Sequence, residues 1–278
     1  MRGKYLAKNR LEELDRLLSV REKAVLVSLH KCRYLITNQI SRLHFNDSVS
    51  ESAAIRATNR LMRKLLDYGL AEVLERRIGG VRSGSGSYIW TLTESGVNLL
   101  HINDKDYAPR KRFFEPSMNF LKHTMEVSEI FVQLTGICRK NNIDLLKTEL
   151  EPECWRPYTG DDGKPATMKP DMFAVTINSG YEDSWFIEVD LNTESPSVVI
   201  DKCYRYINYC KSGIEQKNNG VFPLVVWLVY NVNRKNKLKQ YIDECREISE
   251  QSKRVFTVIM PNEFESLIKQ GMDYGVLC

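Results

Sequence analysis

Histidine is scarce in this sequence, and its cysteines are scattered. The chain has 4 histidines and 7 cysteines, and it contains no C-x-x-C pair. Disulfide frameworks and structural zinc sites both depend on closely spaced or regularly paired ligands of these types. The composition therefore argues against a zinc site and against a disulfide-stabilised fold, and it fits a reducing compartment such as the cytoplasm.

Long apolar runs are also missing. The longest one, residues 221–230, is about half the length of a membrane span and is interrupted by Pro223. The N-terminal segment lacks the apolar core of a secretion signal. For these two reasons we expect no membrane-spanning helix and no membrane partner.

The sequence also lacks a complete phosphate-binding loop for nucleotide hydrolysis. Residues 157–168 are predicted to form a loop that contains Gly163-Lys164, but the preceding glycine of a P-loop is missing. Pro165 takes the place of the hydroxyl residue that would hold magnesium in such a loop. Nucleotide hydrolysis is therefore excluded.

What the chain does contain is an uneven distribution of charge. Its 278 residues are 42% hydrophobic and 27% charged, which is typical of a globular protein long enough for two domains. Residues 1–115 hold 21 Lys and Arg against 13 Asp and Glu, whereas residues 116–278 hold 19 against 23. A basic front half predicts a module that binds a polyanion, and the acidic rear half predicts a domain that holds a cation or a partner.

Three helical patterns followed by two strand patterns occupy the first hundred residues. The helices are predicted at about residues 21–32, 37–43 and 52–68, and the strands at residues 70–78 and 87–92. A glycine-rich tip, residues 79–86, joins the two strands. This order is typical of a winged helix-turn-helix, whose third helix enters the major groove of duplex DNA. Double-stranded DNA is therefore a predicted partner.

Basic side chains occupy the places where such a domain contacts DNA. The third helix carries its polar residues opposite its apolar stripe, and these are Arg56, Asn59, Arg60, Arg63 and Lys64. The predicted wing carries Arg76, Arg77 and Arg82. Arginine and lysine bind phosphates, and arginine and asparagine also bind base edges. The alternative interpretation is a solvated basic surface, and the same two interpretations apply to the basic linker at residues 104–117.

Three carboxylates are associated with a pair of predicted strands at residues 172–177 and 185–189. Asp171 precedes the first strand, whereas Glu188 and Asp190 close the second and share one of its faces. Carboxylates placed so closely repel one another unless a cation joins them. Mg²⁺ or Mn²⁺ is the expected ion, because hard cations prefer oxygen ligands.

At these residues the chain resembles nucleases of the restriction-endonuclease type, whose pattern is PD followed by (D/E)-x-K. Pro170-Asp171 matches the first part and Glu188-Val189-Asp190 matches the second, with Asp190 where a lysine is usual. The resemblance implies a catalytic and metal-binding set of Asp171, Glu188 and Asp190. Lys202, on a helix predicted at residues 196–211, is the candidate replacement for the missing lysine.

Other side chains near this pattern are weaker candidates. Glu126 and Glu129 lie on a helix predicted at residues 118–140, and Glu149 lies on the following strand. A solvated helix face is the alternative interpretation for both helical glutamates. The tyrosines of the 196–211 helix are interpreted as a packing surface, because the isolated histidines offer no metal-binding pair for a tyrosine nucleophile.

The predicted order of elements defines the fold class. After the helix at 118–140 come three strands and then alternating helices and strands, which is typical of an α/β sandwich with a mixed sheet. We therefore predict an α+β protein of two domains, with a winged helix-turn-helix at residues 1–103, a linker at 104–117 and a nuclease-like domain at 118–278.

The two halves together resemble the replication-relaxation family of bacterial plasmids and mobile elements. The matching segments include residues 60–70, 79–85 and 92–96 in the first half, and residues 169–171, 186–190 and 202–206 in the second. The resemblance implies a DNA-binding protein of plasmid replication or maintenance that meets other replication proteins.

Two hypotheses for the second domain remain open at this point. One is metal-dependent cleavage or nicking of DNA by the acidic set. The other is a replication accessory or transcriptional regulator, in which the nuclease-like domain serves dimerisation or partner contact without chemistry. A homodimer is compatible with both, because winged-helix proteins often bind two half-sites.

Overall fold

The computed structural model describes residues 6–74, 87–105, 107, 116–160, 163–192, 194–244 and 255–271. Arg76, Arg77 and Arg82 of the predicted wing lie outside the described residues, as does most of the predicted linker. The protein is α+β with a mixed five-stranded sheet, as predicted. Its chain forms two compact units, Met1–Val132 and Gln133–Cys278, and the division falls within the helix Met118–Asn141.

The first unit contains five helices and a small antiparallel sheet among its described residues. In chain order these are α1 Lys8–Leu17, α2 Val20–Cys32, β1 Leu35–Ile36, α3 Thr37–His44, α4 Glu51–Asp67, β2 Ala71–Val73, β3 Ile89–Leu92 and α5 Glu94–Asn103. The strand order is β1-β3-β2. Polar caps begin several helices: Ser19 forms a capping box with Glu22, and Ser50 accepts a hydrogen bond from the Ala53 N–H.

The core of the first unit forms where apolar residues recur at helical spacing. α2 buries Val25, Leu26 and Leu29 completely, and α4 buries the Met62 and Leu65 side chains. The predicted stripe of α4 is therefore buried at its centre. Leu66, another apolar residue of α4, is 41% exposed, because it lies to one side of that face.

The second unit is built on the five-stranded sheet. Its elements, beginning with the helix in which the units divide, are α6 Met118–Asn141, β4 Asp144–Leu150, β5 Arg156–Thr159, β6 Pro165–Met168, β7 Met172–Asn178, β8 Tyr181–Asp190, α7 Pro196–Lys211, α8 Ile214–Asn219, β9 Leu224–Val229, α9 Val232–Glu244, β10 Phe256–Ile259 and α10 Pro261–Gln270. The strand order is β10-β9-β8-β7-β4. β4, β7 and β8 pair antiparallel, whereas β8, β9 and β10 pair parallel.

One prediction was wrong in this unit. Residues 157–168, expected to be a loop, belong to the hairpin of β5 and β6, in which Arg156 pairs with Met168. The hairpin is held by contacts that local sequence does not reveal, because Arg156 bonds Glu149 of β4 and Glu215 of α8. Long-range ion pairs thus order a segment whose composition indicates a loop.

The central strand β8 positions the carboxylates of the second unit. Every residue from Asp183 to Asp190 is buried, because neighbouring strands and helices cover this part of the sheet. Three of those buried residues, Asp183, Glu188 and Asp190, are acidic, and the last two lie at the end of the strand. Asp171 before β7 is only 5% exposed. Charged groups are rarely buried without partners. The partners of Asp171, Glu188 and Asp190 define the candidate site.

Candidate functional site

Strand register brings Asp171 beside the end of β8. In the β7–β8 ladder Met172 pairs with Ile187, so Asp171 lies one residue before β7 at the level of Glu188. The Val189 N–H donates a hydrogen bond of 2.7 Å to Asp171 Oδ2. The carboxylate of Asp171 is thereby fixed against the backbone of β8, next to Glu188, as the sequence pattern predicts.

Two side chains of α7 bind the Glu188 carboxylate. Lys202 Nζ donates to Glu188 Oε2 at 2.8 Å, and the Tyr206 hydroxyl donates to Glu188 Oε1 at 2.6 Å. Residues four apart lie on one face of a helix, so both reach the same group. Lys202, which stays a predicted replacement for the missing lysine, therefore lies beside Glu188. The hydrogen bond of Tyr206 was missed, although its spacing from Lys202 was a usable signal.

Burial controls the ionisation of this group. Loss of water raises the pKa of Glu188 to about 7, with a smaller contribution from the charge of Asp171, while Lys202 opposes the rise. Burial lowers the pKa of Lys202, but the surrounding carboxylates outweigh it, and the net pKa is raised. Burial and the Glu188 charge also raise the pKa of Tyr206 well above its ordinary value. Lys202 therefore stays protonated, and Tyr206 remains a hydrogen-bond donor.

Asp190 binds a different cation, Arg234 near the start of α9. Arg234 Nε donates to Asp190 Oδ2 at 2.7 Å, and the Asn192 N–H donates to Asp190 Oδ1 at 2.6 Å. The side chain of Asp190 is fully buried and that of Arg234 is 8% exposed. Both carboxylate oxygens of Asp190 thus have protein partners. Sequence reasoning missed Arg234, which is 44 residues from Asp190 and has no motif around it.

Asp171 and Glu188 are the neighbouring carboxylates that the predicted cation would use. Across the described ranges, no group of three or more His, Cys, Asp or Glu side chains is arranged to hold a metal ion. Asp190 is neutralised by its ion pair with Arg234. When Asp171 and Glu188 are both ionised, they carry two negative charges, and Lys202 balances one of them. Mg²⁺ commonly takes one or two carboxylates and completes its shell with water. The three-carboxylate metal set remains a prediction, and this geometry favours Asp171 and Glu188 within it.

Two of the three weaker acidic candidates, Glu149 and Glu129, are engaged in ion pairs. Glu149 bonds Arg156 at 2.7 Å and Lys147 at 2.6 Å. Glu129 accepts hydrogen bonds from Gln39 and Arg42 within the first unit. These contacts give Glu149 and Glu129 a structural role that needs no metal ion.

The candidate DNA-binding residues that the structure describes lie on α4. Arg56, Asn59, Arg60 and Arg63 are all exposed on this helix. Within the part of the chain that the structure describes, no carboxylate forms a salt bridge with any of the three arginines. Lys64 differs from them, because its Nζ is 2.7 Å from Glu22 Oε1 of α2. The exposed face of α4 therefore presents three arginines and an amide.

Comparison with protein-family models gives one finding. The model described as Replication-relaxation matches residues 26–225, which is more than half of the chain. The chain belongs to the replication-relaxation family. The match of this replication-relaxation protein includes α4, Asp171, Glu188 and Lys202, whereas Arg234 lies beyond it. The family description connects the protein with replication.

No curated protein and no solved structure matches the chain of this replication-relaxation protein. Within the described residues, no helix has the length and apolar character needed to cross a membrane.

Proposed function

We propose that this protein binds double-stranded DNA in the replication of plasmids or other mobile elements. Its first unit would be a winged helix-turn-helix, and its second unit a restriction-endonuclease-like domain. The observation that carries this proposal is the exposed face of α4, formed by Arg56, Asn59, Arg60 and Arg63.

The arrangement around α4 supports a DNA-reading role. Helices α2, α3 and α4 come before β2 and β3, and the short strand β1 lies between α2 and α3 and pairs with β3. The predicted wing connects β2 to β3. α3 packs against α4. Arginine forms hydrogen bonds with phosphates and with the edge of guanine, whereas asparagine forms them with the edge of adenine. A helix with this face is equipped for binding in a major groove.

Binding to duplex DNA tests the proposal. The double substitution Arg56→Ala/Arg60→Ala should weaken binding at least about ten-fold, because removing one arginine that binds a base typically costs about 1–3 kcal/mol. Fluorescence anisotropy with labelled duplexes from a plasmid origin would measure it. Arg16→Ala, which removes an exposed arginine from α1, is the matched control. Equal affinities of the wild type and the double variant would contradict the proposal.

A second candidate function is metal-dependent cleavage of the bound DNA. It is favoured by the grouping of Asp171, Glu188 and Lys202. Asp171 and Glu188 would hold Mg²⁺ or Mn²⁺, which when bound supplies an activated water and polarises a phosphate. Lys202 would keep a positive charge beside Glu188, where it can bind a phosphate oxygen. Asp190 would support the site through its ion pair with Arg234.

Incubation with supercoiled plasmid and Mn²⁺ tests the second candidate. Asp171→Asn and Lys202→Ala should both abolish nicking, whereas Lys211→Ala, an exposed lysine of α7, should leave it unchanged. Nicking that persists equally in Asp171→Asn would exclude these residues as its source. A wild type that binds DNA but never cuts it would favour the accessory or regulatory role. The buried pairing of Asp190 with Arg234 is the observation that supports this alternative.

A further inference from the structure

The loop between β8 and α7 is bound by one arginine at two points. Arg234 Nε donates to Asp190 Oδ2 at 2.7 Å, at the beginning of the loop. Arg234 Nη2 donates to the backbone oxygen of Glu194 at 2.8 Å, just before α7. One guanidinium group therefore joins the end of a central strand to the approach of the next helix.

Glu194, at the far end of this loop, lies close to the Lys202 side chain. Glu194 Oε1 lies 3.5 Å from Lys202 Nζ, and the same ammonium group bonds Glu188 at 2.8 Å. Ser195, the next residue, is the N-cap of α7. The position of Glu194 thus affects Lys202 both through an ion pair and through the start of the helix that carries the lysine.

Arg234 is itself held in place by the sheet and by its own helix. β8 and β9 are parallel, and Asp190 pairs with Val229 in their register. Asn231 follows β9 shortly afterwards, and its Oδ1 accepts hydrogen bonds from the N–H groups of Asn233 and Arg234. The first turn of α9 is therefore anchored beside the end of β8, and it holds the planar guanidinium group of Arg234 next to the loop.

We propose that Arg234 is a positioning residue for Lys202. Through Asp190 and the Glu194 carbonyl it fixes the loop that keeps Glu194 beside Lys202, and thereby keeps the Lys202 ammonium group against Glu188. Asp190, at the place where a nuclease lysine is usual, then serves as the anchor for Arg234. This inference deepens the proposed cleavage function and rests on it for its consequence in activity, but the hydrogen bonds themselves can be tested without activity.

The chemistry of the two hydrogen bonds requires arginine. A guanidinium group directs several N–H donors in a fixed plane, so it can bind a carboxylate and a carbonyl together. A lysine at 234 would keep the positive charge for Asp190 but would not reach the Glu194 carbonyl at the same time. Arg234→Lys therefore separates the fixing of the loop from the neutralisation of a buried carboxylate.

Competitive labelling of lysines with limiting acetic anhydride reports how firmly the Lys202 amino group is held, because an amino group that leaves its ion pairs becomes more accessible and reacts faster. The readout is the labelling rate of Lys202 relative to Lys211, an exposed lysine of the same helix, determined by mass spectrometry. We expect Arg234→Lys to raise this ratio roughly three- to ten-fold, the size of coupling expected within one ion-pair network. Glu194→Gln should raise it in the same direction.

Lys235→Ala is the matched control. Lys235 is the next residue of α9 and bonds Glu263 instead of the loop, so its replacement removes an ion pair from the same helix turn. The control should leave the labelling ratio of Lys202 unchanged. An unchanged ratio in both Arg234→Lys and Arg234→Gln, with only a lower unfolding midpoint, would overturn the proposal and leave Arg234 as a stabilising residue.

The same variants distinguish a failure of this inference from a failure of the proposed cleavage function. If the wild type nicks plasmid, Arg234→Lys should lower the rate at saturating DNA while leaving DNA affinity intact. Rates equal to that of the wild type would count against positioning. If the wild type never nicks plasmid, cleavage fails as a function, and the labelling ratio alone decides whether Arg234 fixes Lys202.

Discussion

At the scale of single residues, Glu188 shows how one buried carboxyl group depends on its neighbours. It is 1% exposed, and its two oxygens accept hydrogen bonds from Lys202 and Tyr206. Burial raises its pKa to about 7 despite the nearby ammonium group. The folded protein therefore favours the protonated form of Glu188 more strongly than the unfolded chain does.

This raised pKa predicts a pH dependence of stability. The contribution of Glu188 to the free energy of unfolding is fully present below the ordinary pKa of a glutamate, and it is lost as the pH rises through about 7. Relative to Glu188→Gln, the wild type should lose on the order of 2–3 kcal/mol of unfolding free energy between about pH 4.5 and pH 8. Urea unfolding in the presence of EDTA measures this difference. Asp201→Asn, at an exposed carboxylate of α7, is the matched control, and parallel curves for Glu188→Gln and wild type would contradict the prediction.

Removing one hydroxyl should also destabilise the second unit. Tyr206→Phe leaves Glu188 Oε1 without its 2.6 Å donor in a buried setting. Loss of a buried partner typically costs about 1–3 kcal/mol. Urea unfolding at neutral pH is the measurement, with Tyr181→Phe, at an exposed tyrosine of β8, as the control. Identical midpoints for Tyr206→Phe and wild type would show that this bond adds nothing to stability.

At this scale the sequence predicted some residues of the site and missed others. Asp171 and Glu188 could be predicted as neighbours because a short pattern names them and the pairing of their two strands brings them together. Lys202 could be named because it lies on the following helix. Arg234 carries no local signal, since its ion pair with Asp190 depends on the parallel pairing of β8 with β9. Local sequence does not encode which cation a buried carboxylate meets.

At the scale of elements, the packing of α5 depends on one glycine. A Cβ atom at Gly96 would lie 2.1 Å from the backbone oxygen of Leu70, which joins α4 to β2. Gly96→Ala should therefore shift backbone and destabilise the first unit by roughly 1–3 kcal/mol. Thermal unfolding followed by circular dichroism measures this destabilisation.

Gly136 provides the opposite case within a helix. It lies inside α6, and a Cβ atom there would meet nothing within 4 Å. Gly136→Ala should raise stability by roughly 0.5–1 kcal/mol, because glycine is entropically costly in a helix interior. If Gly96→Ala and Gly136→Ala lost stability by the same amount, steric overlap with Leu70 would not explain the destabilisation by Gly96→Ala.

Elements with strong periodicity were predictable, and those made by distant contacts were not. The 3.6-residue pattern predicted α4, and apolar runs predicted β7 and β8. The β5–β6 hairpin was missed, because Arg156 joins it to β4 and α8 through Glu149 and Glu215. Such ion pairs exist only after the chain has folded.

At the scale of the whole molecule, charge is divided between the two halves of the chain. The basic excess of residues 1–115 accompanies the exposed arginines of α4, and the acidic excess of residues 116–278 accompanies the buried carboxylates. The sequence predicted the α+β class and the mixed sheet. The order β10-β9-β8-β7-β4 was not predictable, because neighbouring strands are chosen by long-range packing.

The salt dependence of DNA affinity tests the central claim most directly. If α4 neutralises phosphates, the logarithm of the binding constant should fall linearly with the logarithm of salt concentration. The slope should become smaller by about one for each phosphate that Arg56→Ala/Arg60→Ala no longer neutralises, and it should stay unchanged in Arg16→Ala. Identical slopes for wild type and the double variant would contradict a DNA-binding role for α4.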